Sequence, residues 1–107
     1  MKIICLIGSS KFKPIFRLFE QNLALRGYIV LGLNIYAHYD NLKITKEQDI
    51  ILKNLHFKKI KMSDLIIVIN PNGYIGLHTT KEIIYAHTIN KPIIYLEGKK
   101  WKLKNFC

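Results

Sequence analysis

Acidic side chains are scarce: 7 Asp and Glu stand against 17 Lys and Arg, for a formal charge of +10. Such an excess attracts phosphates, and nucleic acid is the first partner to consider. Arginine is almost missing, however, with only Arg17 and Arg26 among the lysines. Base reading and bidentate phosphate clamps draw on Arg rather than Lys, so no nucleic-acid partner is expected. Lys58, Lys59 and Lys61, and Lys99, Lys100, Lys102 and Lys104 in the tail, read as solvated faces that would at most attract a phosphorylated small molecule. Cysteine is limited to Cys5, in an apolar run, and Cys107, the last residue. Neither has a ligand neighbour at close spacing, which excludes a disulfide framework and a cysteine metal site. No hydrophobic run approaches the ~20 residues that span a bilayer. The opening Met1-Lys2 and the short run Ile3 to Gly8 lack the length and the small-residue cleavage site of a signal peptide, so no membrane association is expected and a cytoplasmic location is.

What is present is hydrophobic substance, 50% of 107 residues, enough for one packed domain over residues 1–107. Lys2 to Ile7 reads as a buried strand running into the Gly8-Ser9-Ser10 loop. Pro14 opens a helix whose apolar face is expected to be Ile15, Leu18, Phe19, Leu23 and Leu25, and Gly27 stops it. Tyr28 to Leu33 reads as a second strand, followed by a loop carrying Tyr36, His38 and Tyr39. Thr45-Lys46-Glu47-Gln48 is a capping box for a helix to about Met62, with Ile44, Ile51, Leu55 and Met62 as its expected inward face. Leu65 to Ile69 is β-branched and free of polar groups, the form of a central strand covered on both sides. A Gly- and Asn-rich loop, a helix from about Thr80 to Ile89 and a strand over Ile93 to Leu96 follow, and Trp101 and Leu103 suggest a short edge strand. This alternation predicts a three-layer α/β domain, Rossmann/flavodoxin-like, with a four- to five-stranded parallel sheet. Ligands of such sheets lie beyond the carboxyl ends of the strands, which here carry Gly8-Ser9-Ser10, the loop after Leu33, and Asn70 to His78.

Among the residues at those ends, Gly8-Ser9-Ser10 supplies backbone N–H groups and two hydroxyls that suit a phosphate or a sugar oxygen, or simply a tight strand-to-helix turn. Gly73 and Gly76 would let the backbone pass close to a ligand. Glu82, placed by this reading in the first turn of its helix, suits two roles. As an ionised carboxylate at a helix N-terminus it is a candidate nucleophile; as the last member of Thr79-Thr80-Lys81-Glu82 it is a candidate capping box. Asp64 sits at the opposite end of the central strand and reads as a turn residue. His56, His78 and His87 show no His-x-x-x-His spacing, and carboxylates are few, so no metal is expected.

The chain resembles the nucleoside 2-deoxyribosyltransferase-like proteins, a group that includes 2′-deoxynucleoside 5′-monophosphate N-glycosidases and short members from bacteria and their phages. The resemblance runs over residues 2–97 and is carried by Ile3 to Phe12, Leu25 to Leu31, Leu55 to Asp64, and Asn72 to Gly76 with Glu82 and Ala86. It implies N-glycosidic chemistry without a cofactor on a small-molecule nucleoside or nucleotide, by base transfer or hydrolysis, in the cytoplasm of a bacterium or of a phage's host. It also implies a homodimer or larger assembly. Glu82 corresponds to the family's nucleophile. The expected substrate contacts are Gly8, Ser9, Ser10 and Phe12, in the first loop that the resemblance lays against the sugar and 5′-phosphate; Tyr36, an aromatic after strand two suited to stack on a base; Asn70, Gly73, Tyr74 and Gly76; and Thr79 and Thr80, by their proximity to Glu82. The family carries an Asp eight residues before the position of Asp64; here His56 stands there and is the second expected catalytic residue. Imidazole donates or accepts a hydrogen bond but is not a permanent carboxylate. Two other expectations therefore stand beside the first: a non-catalytic nucleotide-binding module, and a phosphoribohydrolase acting on nucleoside 5′-monophosphates, whose signature Asn70 to Glu82 loosely matches.

Overall fold

Strand β1, Ile3–Gly8, sends Ile4 and Leu6 into one apolar layer and Cys5 and Ile7 into another. Burial on both faces is the reason no polar side chain interrupts it. The computed structural model describes residues 2–97. In it β3, Leu65–Ile69, lies parallel to β1, with Cys5 opposite Ile66 and Gly8 opposite Ile69. Strands β2, Ile29–Leu31, and β4, Ile93–Tyr95, complete a four-stranded parallel sheet in the order β2-β1-β3-β4. Strand β2 is shorter than Tyr28 to Leu33. The edge strand expected around Trp101 and Leu103 lies outside the described residues.

Right-handed crossovers decide which face each helix covers. The step from β1 to β2 goes one way along the sheet and the steps to β3 and β4 go the other, so the helices divide between the faces. Helix α1, Lys13–Ala24, packs Phe16, Phe19 and Leu23 against Ile4, Leu6, Ile67 and Ile69. Helices α2, Lys46–Met62, and α3, Leu77–Thr88, cover the other face, where Ile60 and Ala86 meet Cys5, Ile7, Ile66 and Val68. The result is the three-layer Rossmann-like α/β arrangement anticipated from the alternation of elements.

Two helix faces differ from expectation. In α1, Phe16 is buried while Leu18 and Leu25 are exposed. In α2, Ile51, Leu55 and Met62 are exposed and only Ile60 is fully buried. Apolar residues surround α2 on all sides, so its periodicity leaves the phase open and packing on the sheet selects it. Its start is as read: Thr45 Oγ1 accepts from Gln48 N at 3.0 Å and Gln48 Oε1 accepts from Thr45 N at 2.9 Å. Asp64 acts at the floor of the sheet, where its Oδ2 accepts from Ile3 N at 2.8 Å and its own N–H donates to Ile3 O at 2.7 Å. No helix among the described residues is long and apolar enough to cross a membrane.

Candidate active site

The strand order reverses between β1 and β3, and a cleft of about 310 Å³ opens beyond their carboxyl ends. Its floor is Gly8, Ser9 and Ser10; Leu33, Ile35 and Ala37 after β2 form one wall. Helix α2 adds Asp49, Lys53 and His56, and the start of α3 adds Tyr74, Gly76, His78, Thr79 and Glu82. The volume falls within the range of small-molecule sites, roughly 300–1,000 Å³.

The first loop is held from two directions. Ser9 caps a short 3-10 turn, Ser10–Phe12, by accepting from Lys11 N at 3.3 Å. Ser10 Oγ accepts from His38 N at 3.0 Å, which ties this loop to the one after β2. Phe12 stands outside the cleft lining and packs edge-on against Tyr74, ring centroids 5.8 Å apart. Lys11 Nζ lies 3.5 Å from the centre of that Tyr74 ring, whereas Lys13 is engaged by Asp40 at 2.8 Å.

Helix α3 begins three residues earlier than expected, with Gly76 at its N-cap in extended conformation and no side-chain cap. Thr80 Oγ1 donates back to Gly76 O at 3.0 Å, so Thr79 to Glu82 does not form a capping box. Glu82 thereby moves into the second turn, beyond the strong part of the helix dipole. Something else holds its charge. Glu82 is 2% exposed, and its Oε2 lies 3.4 Å from His56 Nδ1 and 3.4 Å from His78 Nε2. Burial pushes the carboxyl upward, but the two imidazoles more than compensate, and it titrates below its ordinary value. His78 and Glu82 are one helical turn apart on α3, and His56 comes across from α2. The edge of Phe57 meets the His78 ring at 6.1 Å and the Tyr85 ring at 5.1 Å, which fixes the imidazole laterally.

Of the residues expected at the site, Gly8, Ser9, Ser10, His56, Tyr74, Gly76, Thr79 and Glu82 converge on the cleft. The others serve nearby or elsewhere. Tyr36 is buried under α1, donates its hydroxyl to Glu20 Oε2 at 3.0 Å and does not line the cleft; its hydroxyl is pushed up to about 12 by burial and the Glu20 charge. Asn70 is buried, and its Oδ1 accepts from Glu97 N at 2.9 Å, bracing the ends of β3 and β4. Gly73 is exposed, and its φ of +77° serves the turn Pro71–Gly73. Thr80 is exposed on α3 and also lies off the cleft lining. Sequence reasoning missed the pairing of His78 with Glu82 and the contribution of Asp49 and Lys53, which face each other at 2.8 Å. The i,i+4 spacing of His78 and Glu82 was the available signal.

No family model matches the chain, and no curated protein matches it. Among solved structures, it is similar to the CMP N-glycosidase BcmB of Clostridium botulinum, at 24% identity and a TM-score of 0.58 over 94% of this chain and 75% of that one. At that identity the likeness concerns the fold.

Proposed function

We propose that this chain acts on the N-glycosidic bond of a 2′-deoxynucleoside or its 5′-monophosphate, by base transfer or hydrolysis, with Glu82 as the nucleophile. The observation that carries this reading is Glu82 itself, a carboxylate 2% exposed yet held ionised, at the inner end of a cleft of nucleoside size. A nucleophile must be unprotonated and freed from bulk water, and the two imidazoles meet both demands. The likeness to a CMP N-glycosidase supports N-glycosidic chemistry on a nucleotide.

In the reaction, a Glu82 oxygen bonds to C1′ as the C1′–N bond breaks, and the base leaves with that electron pair and takes up a proton. An acceptor base or water then attacks C1′, gives up a proton that balances the one the first base took, and releases the carboxylate. In this reading His56, 3.4 Å from the carboxylate, is the second catalytic residue and helps keep Glu82 ionised for attack. Lys11, over the ring of the cleft residue Tyr74 though not itself in the lining, is the candidate cation for a 5′-phosphate, since Lys13 is committed to Asp40.

The test is chromatographic detection of free base from deoxynucleosides, deoxynucleoside 5′-monophosphates and their ribo counterparts, with and without an acceptor base. Wild type is expected to release base and Glu82→Gln to lose at least about a thousandfold in rate, an electrostatic and nucleophilic loss together. Unchanged release by Glu82→Gln sinks the nucleophile assignment. Saturable nucleotide binding without release by wild type replaces the enzyme with a binding module. Release from AMP or CMP with none from the deoxy forms moves the assignment to a phosphoribohydrolase.

A further inference from the structure

The three side chains at the inner end of the cleft have a property that glycosidic chemistry does not require. The ligand atoms of His56, His78 and Glu82 all lie within 4.8 Å of one another. Three buried side-chain atoms here, His56 Nε2, His78 Nε2 and Glu82 Oε2, have no hydrogen-bond partner among the described residues, and the last two face each other. Their 3.4 Å separation is an ion-pair distance without hydrogen-bond alignment. Leaving buried polar atoms unmatched costs about 1–3 kcal/mol each, so a structure that holds them together points to a further group between them.

We infer that His56, His78 and Glu82 form a binding site for one divalent first-row transition ion of the Zn²⁺ type. With metal–ligand bonds of ~2.0–2.1 Å, neighbouring ligands of a tetrahedral ion stand ~3.3 Å apart. Both nitrogen-to-Oε2 distances, 3.4 Å, already match that edge. The remaining edge, 4.8 Å at most, closes by rotation of the half-buried His78 ring. Two imidazoles and one carboxylate select Zn²⁺, Co²⁺ or Ni²⁺ over Mg²⁺ and Ca²⁺, which prefer all-oxygen shells. Three protein ligands leave the fourth position open to the cleft, where water or a ligand oxygen would complete the tetrahedron. The site shares Glu82 and His56 with the proposed glycosidic reaction, so a bound ion would occupy the nucleophile and inhibit base release rather than assist it.

The experiment is a Co²⁺ titration of the chelator-treated protein, read by visible absorption, with bound Zn²⁺ measured by equilibrium dialysis and elemental analysis. A Cys107→Ser background removes the terminal thiol as a competing ligand. One ion per chain is expected, with the intense visible bands of tetrahedral Co²⁺, bleached by added Zn²⁺. His56→Ala, His78→Ala and Glu82→Gln should each weaken binding by about 100-fold or more, a ligand counting for at least as much as an outer-shell partner. His87→Ala, on the exposed side of α3, should bind as the parent does. Circular dichroism of each variant separates loss of ligand from loss of fold, and His56→Gln or His78→Gln replaces the corresponding alanine variant if it does not fold. Absence of stoichiometric binding, or binding unaffected by folded His56 and His78 variants, overturns the assignment. Since no substrate enters the assay, its failure leaves the glycosidic reading standing, and the reverse holds for the base-release screen.

Discussion

Gly8 closes β1 with φ at +149° and pairs with Ile69, whose carbonyl oxygen would lie 2.6 Å from a Cβ built at position 8. The oxygen belongs to the central strand and cannot swing aside as the end of a flexible side chain can. Gly8→Ala therefore meets two penalties. Holding a non-glycine residue in a sparsely populated backbone region costs about 1–3 kcal/mol. Forcing apart a closely packed contact costs about 1–3 kcal/mol more. The narrower unfolded ensemble of alanine offsets roughly 0.4–1 kcal/mol of this. A net loss of about 1–5.6 kcal/mol follows, and at roughly 4–8 °C per kcal/mol for a domain of this size the melting temperature should fall by about 4 °C or more. Gly27 provides the control, since its φ is +89° but nothing lies within 4 Å of its added Cβ. Gly27→Ala carries only the backbone penalty, about 1–2 kcal/mol. Thermal melts followed by far-UV circular dichroism, at one protein concentration, compare the two variants with wild type. A Gly8→Ala protein that melts no lower than Gly27→Ala refutes the claim that close approach of β1 to β3 is what demands glycine. Because Ser9 and Ser10 follow directly, a destabilised Gly8→Ala should also lose ligand affinity at the cleft floor.

Cys5 is buried, and burial together with the Glu82 charge pushes its thiol from 9.0 up to about 12. In a Cys107→Ser background a disulfide reagent at pH 8 should label the native protein about a thousandfold or more slower than an ordinary thiol, through loss of thiolate alone; rapid native labelling at that position contradicts the buried placement. Tyr36→Phe removes the 3.0 Å bond to Glu20 but touches nothing in the cleft, so it should lower stability by about 1 kcal/mol and leave base release unchanged. The sign of its pH effect is set by a folded pKa of about 12 above the ordinary 10.0: the neutral phenol stabilises the fold below pH 10, and that contribution is lost as pH rises through 12. The Phe variant should show a flatter decline over this alkaline range in denaturant titrations, and a lost activity would instead place Tyr36 in contact with substrate.

Much of the scaffold follows from local chemistry. The apolar β-branched run Leu65 to Ile69 admits no placement but a strand covered on both sides, and it is the inner partner of β1. The Thr45 and Gln48 capping box marks the first residue of α2 because both of its hydrogen bonds are satisfied within four residues. Asn90, at φ +60°, ends α3 by a preference that asparagine carries with it. Such features depend on neighbours in the chain, and any fold would have to respect them.

Tertiary structure decided the rest, above all the state of Glu82. Read along the chain, this residue had two roles open to it, because a Thr three positions earlier and a helix start look the same whether or not the cap forms. Packing began α3 at Leu77, removed the cap, and turned Glu82 inward. Packing also chose the phase of α2, exposing Ile51 and Leu55 and bringing His56, 26 residues away in sequence from Glu82, to within 3.4 Å of it. A carboxylate's charge depends on every group within a few ångströms, whichever element supplies it. That sum is a property of three dimensions, which is why the residue types were legible in the sequence and their joint chemistry was decided by the fold.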